Sequence, residues 1–151
     1  MEKIKVLFIC HGNICRSTMA EFILKDMVDK RNLSSDFYIE SAATSREEIG
    51  NDTHYGTKRK LDEIGVKYTK RKARQITKAD YDKFDYIIGM DDANIRNILR
   101  IVGGDDKGKV SKLLDWANLD RSIADPWYTG NFDETYDDVV KGLEGFLEKV
   151  V

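Results

Sequence analysis

The sequence predicts an α/β fold in which a four-stranded parallel sheet carries helices on both faces. Short apolar runs alternate along the chain with segments of helical periodicity, as βαβ units require. The apolar runs are continuous, which is typical of parallel strands buried on both faces. The 151 residues include one proline and no repeat or low-complexity tract, so residues 1–151 are expected to form a single domain.

Each strand is predicted from a short apolar run, and each helix from apolar spacing and a capping residue. The strand runs are "KVLFIC" at 5–10, "FYIESA" at 37–42, "YIIGM" at 86–90 and "VSKLLD" at 110–115. The helices are expected to begin at Ser17, after Asp52 or Thr53, at a capping box of Thr77 and Asp80, after Asp91 and after Asp133. Glycines should end two of them, at Gly65 and at Gly103.

The composition gives no support to several classes of function. A net charge of −2 does not indicate nucleic acid or an anionic membrane as a partner. The basic run at 67–74 lacks an aromatic stacking platform, so it is expected to be a solvated edge. The first apolar run is shorter than a signal-peptide core, and two cysteines do not make a disulfide framework. We therefore expect a cytoplasmic protein, monomeric by default.

The stretch "CHGNICRS" at 10–17 carries the clearest chemical signal. It places a polar, glycine-containing turn between a strand and a helix N-terminus, where free backbone N–H groups converge and bind a phosphate-like oxyanion. Gly12 is expected to adopt a positive φ, and Asn13 tolerates the left-handed region better than most residues. Arg16 can grip two equatorial oxygens of the bound dianion.

Cys10 lies at the start of this turn and is the candidate nucleophile. The amides, the helix dipole and Arg16 all favour its thiolate, to which Ser17 can donate a hydrogen bond. Attack on phosphorus would give a phosphocysteine intermediate without a metal ion. A zinc site built from the two cysteines and two histidines would have a spacing that fits no common pattern.

The sequence resembles the low molecular weight protein tyrosine phosphatases. "CHGNICRS" matches their C-x5-R-S motif, and "ESAATS" at 40–45, "KARQIT" at 72–77, "FDYIIGMD" at 84–91 and "DPWYTG" at 125–130 follow in the family's order. The resemblance implies hydrolysis of phosphotyrosine and aryl phosphates through phosphocysteine at Cys10, with Asp125 as general acid and then base. It also implies that no cofactor is needed, that phosphotyrosine proteins are the substrates and that phosphate-like oxyanions inhibit.

The resemblance assigns roles to further residues. His11, Gly12, Asn13, Ile14, Cys15, Arg16 and Ser17 would form the phosphate-binding loop. Asn13, Ser17, Ser41 and Arg71 would hold it in shape, and Ile14, Glu47, Trp127 and Tyr128 would line the substrate pocket. Cys10 and Cys15 would form a reversible disulfide that protects the nucleophile from over-oxidation.

The sequence departs from the family pattern at two positions, and three alternative functions stay open. Arg71 stands where many members have a histidine, and Glu47 stands where an aromatic residue is frequent. A protein-arginine phosphatase would have the same scaffold, although the aliphatic Ile14 favours phosphotyrosine. An arsenate reductase needs further cysteines, and none follows Cys15. A phosphocysteine carrier domain would have little use for both Arg16 and Asp125.

Overall fold

Four parallel strands form the sheet in the order β2-β1-β3-β4, which confirms the predicted architecture. The computed structural model describes residues 2–151. The strands are β1 Ile4–Cys10, β2 Phe37–Ala43, β3 Tyr86–Gly89 and β4 Val110–Lys112. β1 has a strand on each side and helices over both faces, so its residues 6–10 are buried. This explains why residues 6–10 are all apolar, whereas Lys5 stands at the less buried start of the strand.

Six α-helices accompany the sheet in the described part of the chain. They are α1 Arg16–Lys30, α2 Tyr55–Glu63, α3 Lys78–Lys83, α4 Asp92–Val102, α5 Pro126–Thr129 and α6 Phe132–Val150. α1 and α6 pack on one face of the sheet, together with a short 3-10 helix, Leu113–Ala117. α3 and α4 pack on the other. No helix within residues 2–151 has the length and apolar character needed to cross a bilayer.

Three predicted boundaries differ from the structure. The fourth strand stops at Lys112. Leu113 and Leu114, which were expected to continue it, belong to the 3-10 helix that follows and are buried there. A short apolar run in a buried 3-10 turn has the same hydrophobic pattern in the sequence as a buried strand. Neither Asp52 nor Thr53 caps α2; its N-cap is His54, whose Nδ1 accepts a hydrogen bond from the Gly56 N–H at 3.0 Å. α6 begins before Asp133 and is capped by Asn131.

The parallel sheet brings the candidate site residues to one edge, the carboxyl ends of its strands. The chain after β2 continues beside the turn after β1, where Thr44 N donates to the Cys10 carbonyl and Ser45 N to that of His11, both at 3.0 Å. After β3, Asp91 caps α4 by accepting from Asn94 N at 2.7 Å, as predicted.

Candidate active site

The turn between β1 and α1 surrounds the sulfur of Cys10 with donors. The backbone N–H of Asn13 donates to Cys10 Sγ at 3.3 Å, and Ser17 Oγ lies 3.1 Å from the same atom. Cys10 is buried at the end of β1, and α1 begins at Arg16, so the sulfur lies close to a helix N-terminus. A thiolate here would accept both hydrogen bonds and would be stabilised by them.

The positive φ in this turn belongs to Asn13 and not to Gly12. Asn13 has φ of 60°, whereas Gly12 lies outside the left-handed region, so the expectation for Gly12 was wrong. A Cβ at Gly12 would lie 3.3 Å from Glu48 Cγ, so a larger residue there would require the Glu48 side chain to shift slightly. Asparagine is among the few non-glycine residues that adopt this conformation readily.

The buried side chain of Asn13 connects the turn to three other segments. Its Nδ2 donates to Ser17 Oγ and to Ser41 Oγ, both at 2.9 Å. Its Oδ1 accepts from the Arg71 guanidinium and from the backbone N–H of Arg74, the latter at 3.3 Å. The four residues predicted to support the loop thus lie in one hydrogen-bonded network.

A further member of this network is Glu21 on α1, which the sequence analysis missed. Ser41 Oγ donates to Glu21 Oε1, and Lys25 Nζ pairs with Glu21 Oε2 at 2.6 Å. The available signal was a carboxylate inside the apolar face of α1, between Ala20 and Phe22. A buried carboxylate requires partners, and Glu21 finds them in Ser41 and Lys25.

Arg16 is buried and links the turn to two distant loops. Its NH1 donates to Asp91 Oδ2 at 2.7 Å and to the Ile123 carbonyl at 2.9 Å, and its NH2 lies 3.5 Å from Asp125 Oδ2. Burial opposes its charge, but Cys10, Asp91 and Asp125 outweigh burial and raise the pKa of Arg16. Its Nε is buried and has no hydrogen-bond partner within residues 2–151. The sequence predicts only a capping role for Asp91, because an ion pair between residues 75 positions apart leaves no local pattern.

Asp125 is held so that one of its carboxylate oxygens is occupied. It is the N-cap of α5, and its Oδ1 accepts from Trp127 N at 3.0 Å. The other oxygen, Oδ2, is the one near Arg16. Pro126 at the first position of α5 restricts the backbone of this loop.

Cys10 and Asp125 both line a cavity of about 100 Å³. The predicted wall residues Ile14, Glu47, Trp127 and Tyr128 line it as well, together with His11, Gly12, Cys15 and Glu48. His11 Nε2 lies 2.7 Å from Glu47 Oε2 across the rim. The lining of the cavity therefore combines two aromatic side chains with the carboxylates of Glu47, Glu48 and Asp125.

A family model described as low molecular weight phosphotyrosine protein phosphatase matches residues 5–151. The chain belongs to this family. It is 39% identical over 150 residues to the low molecular weight protein-tyrosine-phosphatase YfkJ of Bacillus subtilis, covering 97% of this chain and 96% of that protein. It is also 39% identical to the low molecular weight phosphotyrosine protein phosphatase of Saccharomyces cerevisiae, covering 97% and 95%.

Solved structures agree with this membership of the low molecular weight phosphatases. The crystal structure of YfkJ has a TM-score of 0.95 at 38% identity, covering 99% of this chain and 96% of that one. The crystal structure of a Drosophila arginine phosphatase has a TM-score of 0.87 at 32% identity, covering 95% and 96%.

The second cysteine of this phosphatase differs from the first in its surroundings. Burial and the neighbouring Cys10 raise the pKa of Cys15 to about 12. Both cysteines are free thiols in the structure, so the predicted disulfide stays a prediction. No group of three or more His, Cys, Asp and Glu side chains within residues 2–151 is arranged to hold a metal ion.

The two departures from the family pattern both lie at the site. Arg71 donates to Asn13, in the supporting role predicted for it, and burial lowers the pKa of its guanidinium. Glu47 lines the cavity wall.

His54 is the site-adjacent residue whose role the sequence least revealed. Its backbone N–H donates to the Ile14 carbonyl at 2.8 Å, and its ring packs against three aromatic rings. It thereby connects the phosphate-binding loop to the loop that carries Asp125. From the sequence we expect His54 to be a helix-surface residue near the pocket loop, with zinc ligation as an alternative that the spacing disfavours.

Proposed function

We propose that this protein is a metal-independent protein tyrosine phosphatase in which Cys10, Arg16 and Asp125 act together on phosphotyrosine and aryl phosphates. The observation that carries the assignment of roles is Arg16 Nε, a buried donor with no partner in residues 2–151. A buried N–H of this kind needs an acceptor, and a phosphoryl oxygen above Cys10 supplies one. The names of the relatives support the same substrate class.

In the first step, Cys10 Sγ attacks phosphorus, and the S–P bond forms as the bond from phosphorus to the phenolic oxygen breaks. Asp125 gives its proton from Oδ2 to the leaving oxygen, because Oδ1 is held by Trp127 N. The amides of the turn and Arg16 stabilise the equatorial oxygens.

In the second step, the Asp125 carboxylate takes a proton from water, whose oxygen attacks phosphorus. The S–P bond breaks, inorganic phosphate leaves and the Cys10 thiolate is restored, stabilised by Ser17 and by the N–H of Asn13. The same loop would bind phosphate-like oxyanions as inhibitors. Because the chemistry requires a reduced Cys10, we propose that the enzyme works in the cytoplasm.

A protein-arginine phosphatase is the second candidate. Glu47 and Glu48 line the cavity and could pair with the guanidinium of a phosphoarginine. One of the similar solved structures is called an arginine phosphatase. The aliphatic Ile14 beside Cys10 favours the flat ring of phosphotyrosine.

The test is phosphate release from matched phosphotyrosine and phosphoarginine peptides in the presence of chelator and reductant. The wild type should hydrolyse the phosphotyrosine peptide, and Cys10→Ser should abolish turnover. Asp125→Asn should lower kcat by about 10²–10⁴-fold, with the larger losses for leaving groups of higher pKa. Turnover of phosphoarginine alone would overturn the substrate class, and no turnover by reduced wild type would overturn the enzyme assignment.

A further inference from the structure

A second cavity, of about 620 Å³, lies beside the catalytic pocket. We name it the α2 groove; it is lined by His54, Tyr55, Gly56, Arg59, Lys60, Glu63, Pro126, Trp127, Gly130, Asn131, Phe132 and Asp133. Trp127 lines both cavities. A polypeptide whose phosphorylated side chain enters the catalytic pocket therefore has the α2 groove directly next to it.

The floor of the α2 groove is aromatic and tightly packed. The His54 ring stacks on Tyr55 at 4.4 Å and on Phe132 at 5.6 Å, and it meets Trp127 edge-on at 5.4 Å. Gly56 makes room for this arrangement, since a Cβ there would lie 2.8 Å from Phe132 Cε1. Tyr55 is nevertheless 69% exposed and Trp127 55% exposed. Fixed aromatic surfaces left open beside a catalytic pocket are characteristic of interaction sites.

The charges around the two cavities differ. Lys60 forms ion pairs with Asp133 at 2.7 Å and with Glu63 at 3.5 Å. Arg59 lies over the Tyr55 ring, 5.6 Å from its centre, and no carboxylate within residues 2–151 lies within ion-pairing distance of it. The guanidinium of Arg59 is therefore available in the α2 groove to pair with an acidic group of a ligand.

The catalytic pocket itself has an acidic lining. It carries Glu47 and Glu48, of which Glu47 is exposed. An acidic side chain of a bound polypeptide is thus repelled near Glu47 and attracted near Arg59.

We propose that the α2 groove is a substrate subsite, which holds the polypeptide on one side of the phosphorylated residue and prefers an acidic side chain paired with Arg59. The proposal rests on the phosphatase function and adds to it a class of substrate: phosphotyrosine with an acidic residue on one flank.

The test compares phosphotyrosine peptides in which one alanine at a time is replaced by aspartate, on either side of the phosphotyrosine. In the wild type, aspartate at one or two positions of a single flank should raise kcat/KM by about 2- to 5-fold, the range of an exposed ion pair. Arg59→Glu should remove or reverse this preference. The matched control is Arg100→Glu, which makes the same charge change at an exposed arginine of α4, on the other face of the sheet.

para-Nitrophenyl phosphate is too small to reach the α2 groove, so its kcat/KM should be the same in all three proteins. An equal preference in wild type and Arg59→Glu, or none in wild type, would overturn the subsite while leaving the phosphatase intact. If the wild type did not hydrolyse para-nitrophenyl phosphate, the proposed phosphatase function itself would be overturned. A dimer in sedimentation that Arg59→Glu dissociates, without any flank preference, would show a second copy in the groove and overturn the proposal.

Discussion

At the scale of single residues, Asn13 combines a left-handed backbone with four hydrogen bonds from its side chain. Two substitutions separate these contributions. Asn13→Gly and Asn13→Ala both lose the hydrogen bonds, so each should lower kcat/KM at least about 10-fold by loosening the loop. Only alanine adds backbone strain, so it should be less stable than glycine by about 1–2 kcal/mol in urea unfolding. Equal stability of the two variants would contradict the strain argument.

The site residues that the sequence predicted lie in local motifs, whereas those it missed are brought to the site by tertiary packing. Cys10, Arg16 and Asp125 lie in local motifs, so the sequence predicts the first two from their spacing and the third from its resemblance to the family. Glu21 and Asp91 act as partners of buried groups that tertiary packing brings to them. No sequence pattern specifies such a partner, because any loop at the same edge of the sheet could have supplied it.

At the scale of elements, His54 joins the start of α2 to the loop of Asp125 through its ring and caps α2 through Nδ1. His54→Phe keeps the ring packing, and His54→Asn keeps a capping acceptor. If packing positions Asp125, only the asparagine variant should lose kcat, by about 10-fold for a phenolate leaving group. The loss should shrink for a leaving group that needs no proton. A loss independent of the leaving group would mean that His54 does not act through Asp125.

Protonation of His54 should also influence stability. Burial lowers the pKa of His54 below its ordinary value of 6.5, and the carboxylates of Glu48 and Asp125 oppose burial only in part. Between that lowered pKa and 6.5, the unfolded chain takes up a proton that the folded chain does not, so the stability contribution is lost as pH falls. Urea unfolding from pH 7.5 to 5 should show a shallower loss for His54→Asn than for wild type. Parallel curves would contradict this assignment.

The helix α6 contains two glycines, Gly142 and Gly145, at the face that packs against the 3-10 helix. A Cβ on Gly145 would lie 2.7 Å from the carbonyl carbon of Trp116, in the 3-10 helix that α6 packs against. Alanine favours a free helix over glycine by about 1 kcal/mol. We nevertheless expect Gly145→Ala to destabilise the protein, by about 1–3 kcal/mol, because the backbone has to move apart. Thermal unfolding measures the change in stability. A more stable Gly145→Ala variant would show that the backbone at Trp116 moves aside at little cost.

These elements show where periodicity alone is insufficient. "VSKLLD" has the composition of a strand, yet only its first half joins the sheet. Its leucines are buried by α6, whose glycines allow the 3-10 helix to approach. The conformation of Leu113 and Leu114 therefore depends on residues about thirty positions later, which a local window does not contain.

At the scale of the whole molecule, oxyanion binding and stability should be linked. A ligand that binds only the folded chain stabilises it by about 2.7 kcal/mol at 100 times its Kd. For a chain of this size, inorganic phosphate at that concentration should raise Tm by about 5–10 °C. Arg16→Met should lose most of the shift, because Nε and the second donor of the clamp are gone. An equal shift in Arg16→Met would show that phosphate binds elsewhere.

The overall fold was accessible from the sequence because each βαβ unit repeats the same local pattern. Parallel strands and their helices leave few topologies open, and the loops at the carboxyl edge then hold the site. The order of strands and the meeting of Arg16 with the segments at Asp91 and Ile123 emerge only when the sheet is assembled.

That meeting has a consequence for the protein during its synthesis. Cys10 and its loop are synthesised before the two groups that orient Arg16, which follow 75 and 107 residues behind it. A nascent chain that ends before residue 91 carries the thiol with neither group present, and one that ends before residue 123 still lacks the Ile123 carbonyl and Asp125. We therefore expect a growing polypeptide to gain phosphatase activity only after Asp91, Ile123 and Asp125 have been synthesised and have folded against the loop.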